Sequence, residues 1–317
     1  MSVREIASGV YYVPLSIANV YFVGRPAEDW VLIDAGLPGD ARKILQAAES
    51  LYGPEARPSA IVLTHGHPDH AGGALELANH WDLPILAHPL EMPYLTGQSD
   101  YPPLDPTVGG FMGLLSRVFR PGTVNLGDRV RPLESSLAIS GLTGWQWLHT
   151  PGHSPGHVAF FRRADATLLA GDALTTVNLD SFLAAITKFQ HVCGPPSTAT
   201  YDWTAAGESA RCLAELQPLV IACGHGRPMS SGEAVMQLAE LAIDFRTPRH
   251  GRYLTEPAVT SASGVVSLPP EPPDTFPATA AVVGVVVASA GTLFAVAAWR
   301  RKKKRRLVTA DTPAQAS

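Results

Sequence analysis

Thr64-His65-Gly66-His67-Pro68-Asp69-His70 is the stretch on which the reading of this chain turns. It follows Ala60–Thr64, a short apolar run with the make-up of a buried strand, and leads into a helical pattern from about Asp69 to Trp81. Three imidazoles and a carboxylate thus fall at the turn between a strand and a helix. Imidazole nitrogen and carboxylate oxygen are preferred donors for zinc and similar divalent ions, and a tight loop at a strand end can aim several of them at one point. The same polar side chains buried with no cation would be costly.

Outward from this loop, the pattern alternates. Val10–Val13, Asn19–Val23 and Trp30–Asp34 read as strands, and Asp40 is placed to cap a helix that runs to Tyr52 and stops at Gly53-Pro54. On the other side, Pro84–His88, Trp145–His149, Val158–Arg162, Thr167–Ala170 and Leu219–Ala222 read as strands. Asp202–Leu216 and Ser231–Phe245 read as helices. This mixture places the chain in the α/β class. Two long excursions, His88–Arg131 and Thr175–Tyr201, interrupt the scaffold. Loops of that length in a compact domain are usually lids or binding loops.

Three further pieces stand at strand ends. They are Thr150-Pro151-Gly152-His153-Ser154-Pro155-Gly156-His157, then Leu169-Ala170-Gly171-Asp172, then Ala222-Cys223-Gly224-His225-Gly226. With the first loop, and in this order, they resemble the metallo-β-lactamase fold superfamily over about residues 5–250. In motif style they are closest to its glyoxalase II-like hydrolases and quorum-lactone lactonases. The resemblance implies a four-layer αββα sandwich with two adjacent metal ions. His65, His67 and His153 would hold the first, Asp69, His70 and His225 the second, and Asp172 would bridge them. Zinc is the implied ion, two per chain, with iron or manganese as substitutes. Such a pair activates a shared hydroxide against a carbonyl, and Asp69 stands where it could also orient that nucleophile or handle a proton. His157 and Asp34 are expected to support the ligands from outside. His80, His88, His149, His191 and His250 have no spacing that implicates them. The aspartate at position 172 sets the chain apart from β-lactamases that carry a cysteine there, and His67 sets it apart from flavo-diiron proteins.

Charge is unevenly spread. The 317 residues carry 24 Lys+Arg and 28 Asp+Glu, a net of −4. Seven of the basic residues form the run Arg300–Arg306, so residues 1–299 hold 17 basic and 27 acidic groups, a net of −10. An acidic body argues against a nucleic-acid partner, because non-specific affinity for phosphates comes mainly from Lys and Arg. Three cysteines without a Cys-x-x-Cys pair indicate neither a disulfide framework nor a thiolate zinc site. Arg246, Arg249, His250 and Arg252 read as charges that complement the end of the preceding helix.

Beyond residue 254 the composition changes. Thr255–Pro277 carries six prolines and reads as an extended linker; Ala278–Trp299 has no charge at all; residues 300–317 form a basic tail. As a helix, the charge-free run reaches about 33 Å, enough to cross a hydrocarbon core of about 30 Å. The expected organisation is therefore a hydrolase domain over 1–254, a linker over 255–277, a transmembrane helix over 278–299 and a tail. Met1–Ser16 lacks a charged start followed by an unbroken apolar core, so no secretory signal is expected.

The function expected is a membrane-tethered dinuclear zinc hydrolase acting on a thioester or lactone. An iron-dependent sulfur (persulfide) dioxygenase on the same fold and a non-enzymatic tethered binding module are the alternatives. Expected partners are a small-molecule substrate and the membrane, with a homodimer left open. The expected location is the cell membrane, single-pass, with the catalytic domain on the cytoplasmic side.

Overall fold

The computed structural model describes residues 3–118, 122–134 and 139–274. One sheet takes its seven strands in chain order: β1 (Arg4–Ala7), β2 (Val10–Pro14), β3 (Asn19–Val23), β4 (Val31–Ile33), β5 (Ala60–Val62), β6 (Ile85–Ala87) and β7 (Val130–Pro132). The pairs from β1 to β4 are antiparallel and those from β4 to β7 parallel. A second sheet is built from β8 (Trp145–His149), β9 (Val158–Arg162), β10 (Thr167–Gly171) and β13 (Val220–Cys223), in the order β13-β10-β9-β8. The small pair β11 (Thr175–Val177) and β12 (Gln190–Cys193) stands apart.

Period-two alternation explains why the sheets stack. Successive residues of a strand point to opposite faces, so a strand that is apolar throughout must be covered twice. In β3 and β4, Tyr21, Val23, Val31 and Ile33 face the second sheet, where Val158, Phe160, Leu169 and Ala222 meet them. Val20, Phe22 and Leu32 point the other way, onto α1 (Ala41–Tyr52) and α3 (Ala74–Trp81) through Ile44, Ala48, Leu77 and Trp81. The second sheet repeats this: Ala159, Phe161, Leu168 and Ile221 pack on α7 (Trp203–Glu215) and α8 (Gly232–Ile243) through Ala210, Leu213, Ala234 and Leu238. The layers run helix, sheet, sheet, helix, as expected.

Direction matters for the site. Parallel pairing brings the C-terminal ends of β4 and β5 to one edge. In the second sheet β10 runs parallel to β13, and β8 runs with them because two antiparallel steps separate it from β10. The loops after β4, β5, β8, β10 and β13 are those that carry Asp34 and the histidine and aspartate motifs.

Two expectations need correction. The helix expected from Asp69 to Trp81 is two helices, α2 (Pro68–Ala71) and α3, parted at Gly72-Gly73. A Cβ on Gly72 would collide with Pro38, and one on Gly73 with the Ala35 carbonyl, so the break lets the chain after β4 lie directly on the histidine loop. Ala35 N donates to His70 O at 2.7 Å there. The linker expected over 255–277 instead contains a hairpin, β14 (Val259–Ser261) and β15 (Gly264–Ser267), and residues up to Pro272 belong to one compact unit. The prolines bracket this segment at 257 and 269–273, while Val259–Val266 between them has the β-branched composition of strands around a Ser-Ala-Ser-Gly turn. Ala258 and Tyr253 pack with Tyr201 and Trp203, and Val265 N donates to Ser99 Oγ at 3.1 Å.

Among the described residues no helix is long and apolar enough to cross a membrane. The segment 278–299 and the tail lie outside the described residues.

The hairpin gives a direct test of the boundary. A chain ended at 272 is expected to melt higher than one ended at 254, by at least the 2–4 °C that roughly 1 kcal/mol is worth in a domain of this size. Equal melting temperatures in scanning calorimetry would restore the linker reading.

Candidate metal centre

The residues expected at the site converge. His67 Nδ1 lies 2.9 Å from His153 Nε2, which lies 3.2 Å from His65 Nε2. Nitrogens bound at about 2.0–2.1 Å in tetrahedral geometry would stand roughly 3.3–3.4 Å apart, so the three need little movement to share one ion. A second group forms beside them. His225 Nε2 is 3.4 Å from Asp69 Oδ2, and His70 Nε2 is 3.9 Å from the same oxygen. Asp172 Oδ2 sits between the groups, 3.5 Å from His153 Nε2, 3.5 Å from His70 Nε2 and 3.1 Å from His225 Nε2.

Burial and charge favour a cation here. His65, His70, His153, Asp172 and His225 are buried, and His70 Nε2 finds no hydrogen-bond partner despite its burial. Burial drives the His65 and His153 pKa values well below the usual imidazole range and that of His67 to about 4, leaving neutral donors. Burial opposes ionising Asp172, but His225 and His70 outweigh it and hold the carboxyl well below its ordinary range. Against the same opposition Asp172 and Asp69 raise His225 to about 10, so the protein alone answers the carboxylates with imidazolium protons. Divalent ions can replace those protons, and the donor set fits them.

A set of buried hydrogen bonds aims the donors. Asp34, whose φ of +63° turns the chain sharply at the end of β4, accepts from Thr64 N at 2.7 Å, from Thr64 Oγ1 at 2.8 Å and from His70 Nδ1 at 2.8 Å. Its carboxylate therefore fixes the His70 tautomer and leaves Nε2 to face Asp172. Thr64 Oγ1 in turn lies 3.0 Å from His65 Nδ1. His157 does the same for Asp172: the aspartate's N–H donates to His157 Nε2 at 2.8 Å, so the proton sits on Nδ1, which donates to Thr150 Oγ1 at 2.8 Å. His157 lies outside the ligand cluster, as the sequence suggested. Of the histidines given no role, His149 donates to Pro155 O at 2.8 Å and stacks on His88, with centroids 4.4 Å apart. Arg252 donates through Nε to Pro269 O at 2.7 Å, and Arg246 pairs with Asp244 at 2.6 Å.

Sequence reading missed Glu91. Its buried carboxylate accepts from Gly66 N at 2.9 Å and from Tyr101 Oη on one oxygen, and from Ser154 Oγ at 2.8 Å and Gly156 N at 2.6 Å on the other. It thereby clamps the loop carrying His65 and His67 to the loop carrying His153. Burial pushes its pKa up while these donors pull the other way. Tyr101, also unforeseen, lays its ring on His67 with centroids 4.6 Å apart. A lone carboxylate within the apolar stretch Pro89–Leu95, whose last four residues form the short helix α4 (Met92–Leu95), is the signal that could have drawn attention to the clamp.

The family model described as Metallo-beta-lactamase superfamily matches residues 13–225, which span every loop that reaches this cluster. The chain belongs to that superfamily. Among its relatives in the superfamily, the probable metallo-hydrolase YflN of Bacillus subtilis (strain 168) is 40% identical over 241 residues, covering 75% of this chain and 91% of the relative. The hydroxyacylglutathione hydrolase GloC of Haemophilus influenzae (strain ATCC 51907 / DSM 11121 / KW20 / Rd) is 29% identical over 219 residues, covering 68% and 88%. Among solved structures, the BLEG-1 B3 metallo-beta-lactamase superposes with a TM-score of 0.50 at 25% identity, over 77% of this chain and 98% of that one.

Replacing Glu91 separates the clamp from the ligands. Glu91→Gln turns an amide N–H₂ toward donors, and metal affinity measured by competition with a chromophoric chelator is expected to fall about 10–100-fold. Glu91→Ala is expected to cost roughly 3 kcal/mol or more in denaturant unfolding, since buried N–H groups lose their acceptor. Unchanged affinity in the glutamine variant would remove the clamp from the site.

Proposed function

We propose that the protein is a dinuclear metal-dependent hydrolase, tethered to a membrane through residues 278–299, that cleaves the ester-like carbonyl of a small thioester or lactone. The observation that carries this reading is the position of Asp172 Oδ2, within 3.5 Å of donors from both histidine groups. In the proposed assignment His65, His67 and His153 hold one ion, Asp69, His70 and His225 the other, and Asp172 both. Zinc suits this nitrogen and oxygen donor set. When bound, two such ions lower the pKa of water toward neutrality and polarise a carbonyl.

The chain's own groups do the rest. Asp69 is the most exposed carboxylate of the cluster, its side chain 24% accessible, and its Oδ2 faces His225. It is placed to orient an attacking water and to take its proton, then to return that proton to the leaving alkoxide or thiolate. Asp34, Thr64, His157 and Glu91 keep the donors in register, so little reorganisation accompanies the reaction. A substrate carrying a thioester is consistent with the likeness to a hydroxyacylglutathione hydrolase.

Two measurements test the proposal on the full chain. Metal analysis after aerobic purification is expected to return about two zinc ions per chain. Hydrolysis of a thioester and lactone panel is expected to fall about 100–1000-fold in His65→Ala, the equivalent of several kcal/mol of lost transition-state stabilisation. One iron per chain together with oxygen consumption on a persulfide would overturn the hydrolase reading in favour of dioxygenation.

A further inference from the structure

We infer that an apolar lip beside the metal cluster rests on the surface of a lipid bilayer, so that the mouth of the site opens where water meets lipid. The inference rests on the membrane tether proposed above. The lip is made by two short helices, α5 (Gly110–Ser116) and α6 (Phe182–Thr187). On α6 and just after it, Phe182, Leu183, Ile186 and Phe189 are 60%, 70%, 61% and 68% exposed, and Val118 beyond α5 is 74% exposed. Phe111 of α5 meets Phe182 edge-on, with centroids 5.2 Å apart, and Phe111 N donates to Asp180 O at 2.8 Å, so the helices form one feature. An apolar surface of this kind on a folded body marks a contact with something other than water.

Its place in the fold ties it to the site. Thr176 N donates to His225 O at 3.0 Å, and α6 begins six residues later. Tyr101 covers His67, and α5 begins nine residues later. Both helices therefore grow from segments that touch the cluster.

The way the chain leaves the body selects lipid as the occupant. Pro269 O accepts from Arg252 Nε, Arg252 N donates to Asp105, and Asp105 leads through Pro106–Val108 into α5. The body thus ends, at Pro272, at the same end as the lip. The charge-free run begins at Ala278. Six residues of fully extended chain span at most about 20 Å, so a run inserted in lipid keeps this end of the body close to the bilayer. The lip's chemistry agrees. From Ser181 to Phe189 there is no acidic residue, and the one cation, Lys188, is among the two lysines of residues 1–299. An apolar face with a cation at its edge is the composition of a segment that lies in the headgroup region. An amphiphilic substrate could then enter the site without leaving the interface.

The test uses the full chain reconstituted in phosphatidylcholine vesicles. In a Cys193→Ser/Cys212→Ser background, Leu183→Cys carries an environment-sensitive fluorophore, with Ile186→Cys as a second position and Glu49→Cys on α1 as the control. Nitroxide-bearing phosphatidylcholine is expected to quench most of the emission at 183 and 186 and to leave position 49 bright. Flotation of the same vesicles reads the tether separately. A chain that does not float removes the tether, and this proposal with it. A chain that floats while 183 and 186 stay unquenched overturns the docking alone: water-like emission means the lip is left in solvent, and blue-shifted emission that depends on protein density means a second copy covers it.

Discussion

Everything at the site hangs on the buried carboxylate of Asp34. It joins the end of β4 to the end of β5 through Thr64 and fixes His70 by the same pair of oxygens. A carboxylate with almost no exposure has to be met on every side, and here backbone, hydroxyl and imidazole meet it. The tight turn at Asp34, the glycine break between α2 and α3 and the close approach of Ala35 to His70 all follow from that need. His70 thereby presents Nε2 to Asp172, which is itself oriented by His157. Orientation passes inward through fixed tautomers, and this is how neutral polar groups keep charged ones in place without solvent.

Much of this was legible in the sequence because the signals were local. The layers were expected from resemblance, which four motifs in order, each at a strand end, carry; the residue pattern by itself points to the α/β class. Asn19–Val23, Trp145–His149 and Val158–Arg162 were read with the ends the structure shows. The convergence of His65, His67, Asp69, His70, His153, Asp172 and His225 was expected from resemblance, and the structure brings all of them together. Glu91 escaped because its role depends on two loops more than sixty residues apart meeting around it, which no window along the chain displays. The hairpin at 259–267 is hidden for a different reason: the six prolines of 255–277 give the whole segment a linker's composition although they only flank the β-branched run. Asp40 stands where a helix cap was expected, yet its carboxylate caps no backbone N–H of the helix and instead accepts from Leu37 N, Ser16 Oγ and the Lys43 ammonium.

Some positions tolerate no side chain at all. Gly171 has a φ of +52°, and a Cβ there would press on the His157 ring that orients the next residue, Asp172. At Gly224 a Cβ would strike both Asp172 and His70. Bare backbone is what lets two carboxylates and several imidazoles crowd into so small a volume, and the wall behind Asp172 is peptide for that reason.

The seam between the sheets has a consequence for how the protein is made. His65, His67, Asp69 and His70 come from the loop after β5, while His153, Asp172 and His225 come from the second sheet. Asn19 and Tyr21 cross the seam to the carbonyls of Cys223 and Gly226, so the two halves are bonded next to the cluster. Neither half owns a complete donor set. A nascent chain that has folded only its first seven strands presents a partial nest of imidazoles, and the finished nest exists once the last strand of the second sheet has docked. Any ion held by donors of both halves would therefore join them across the seam.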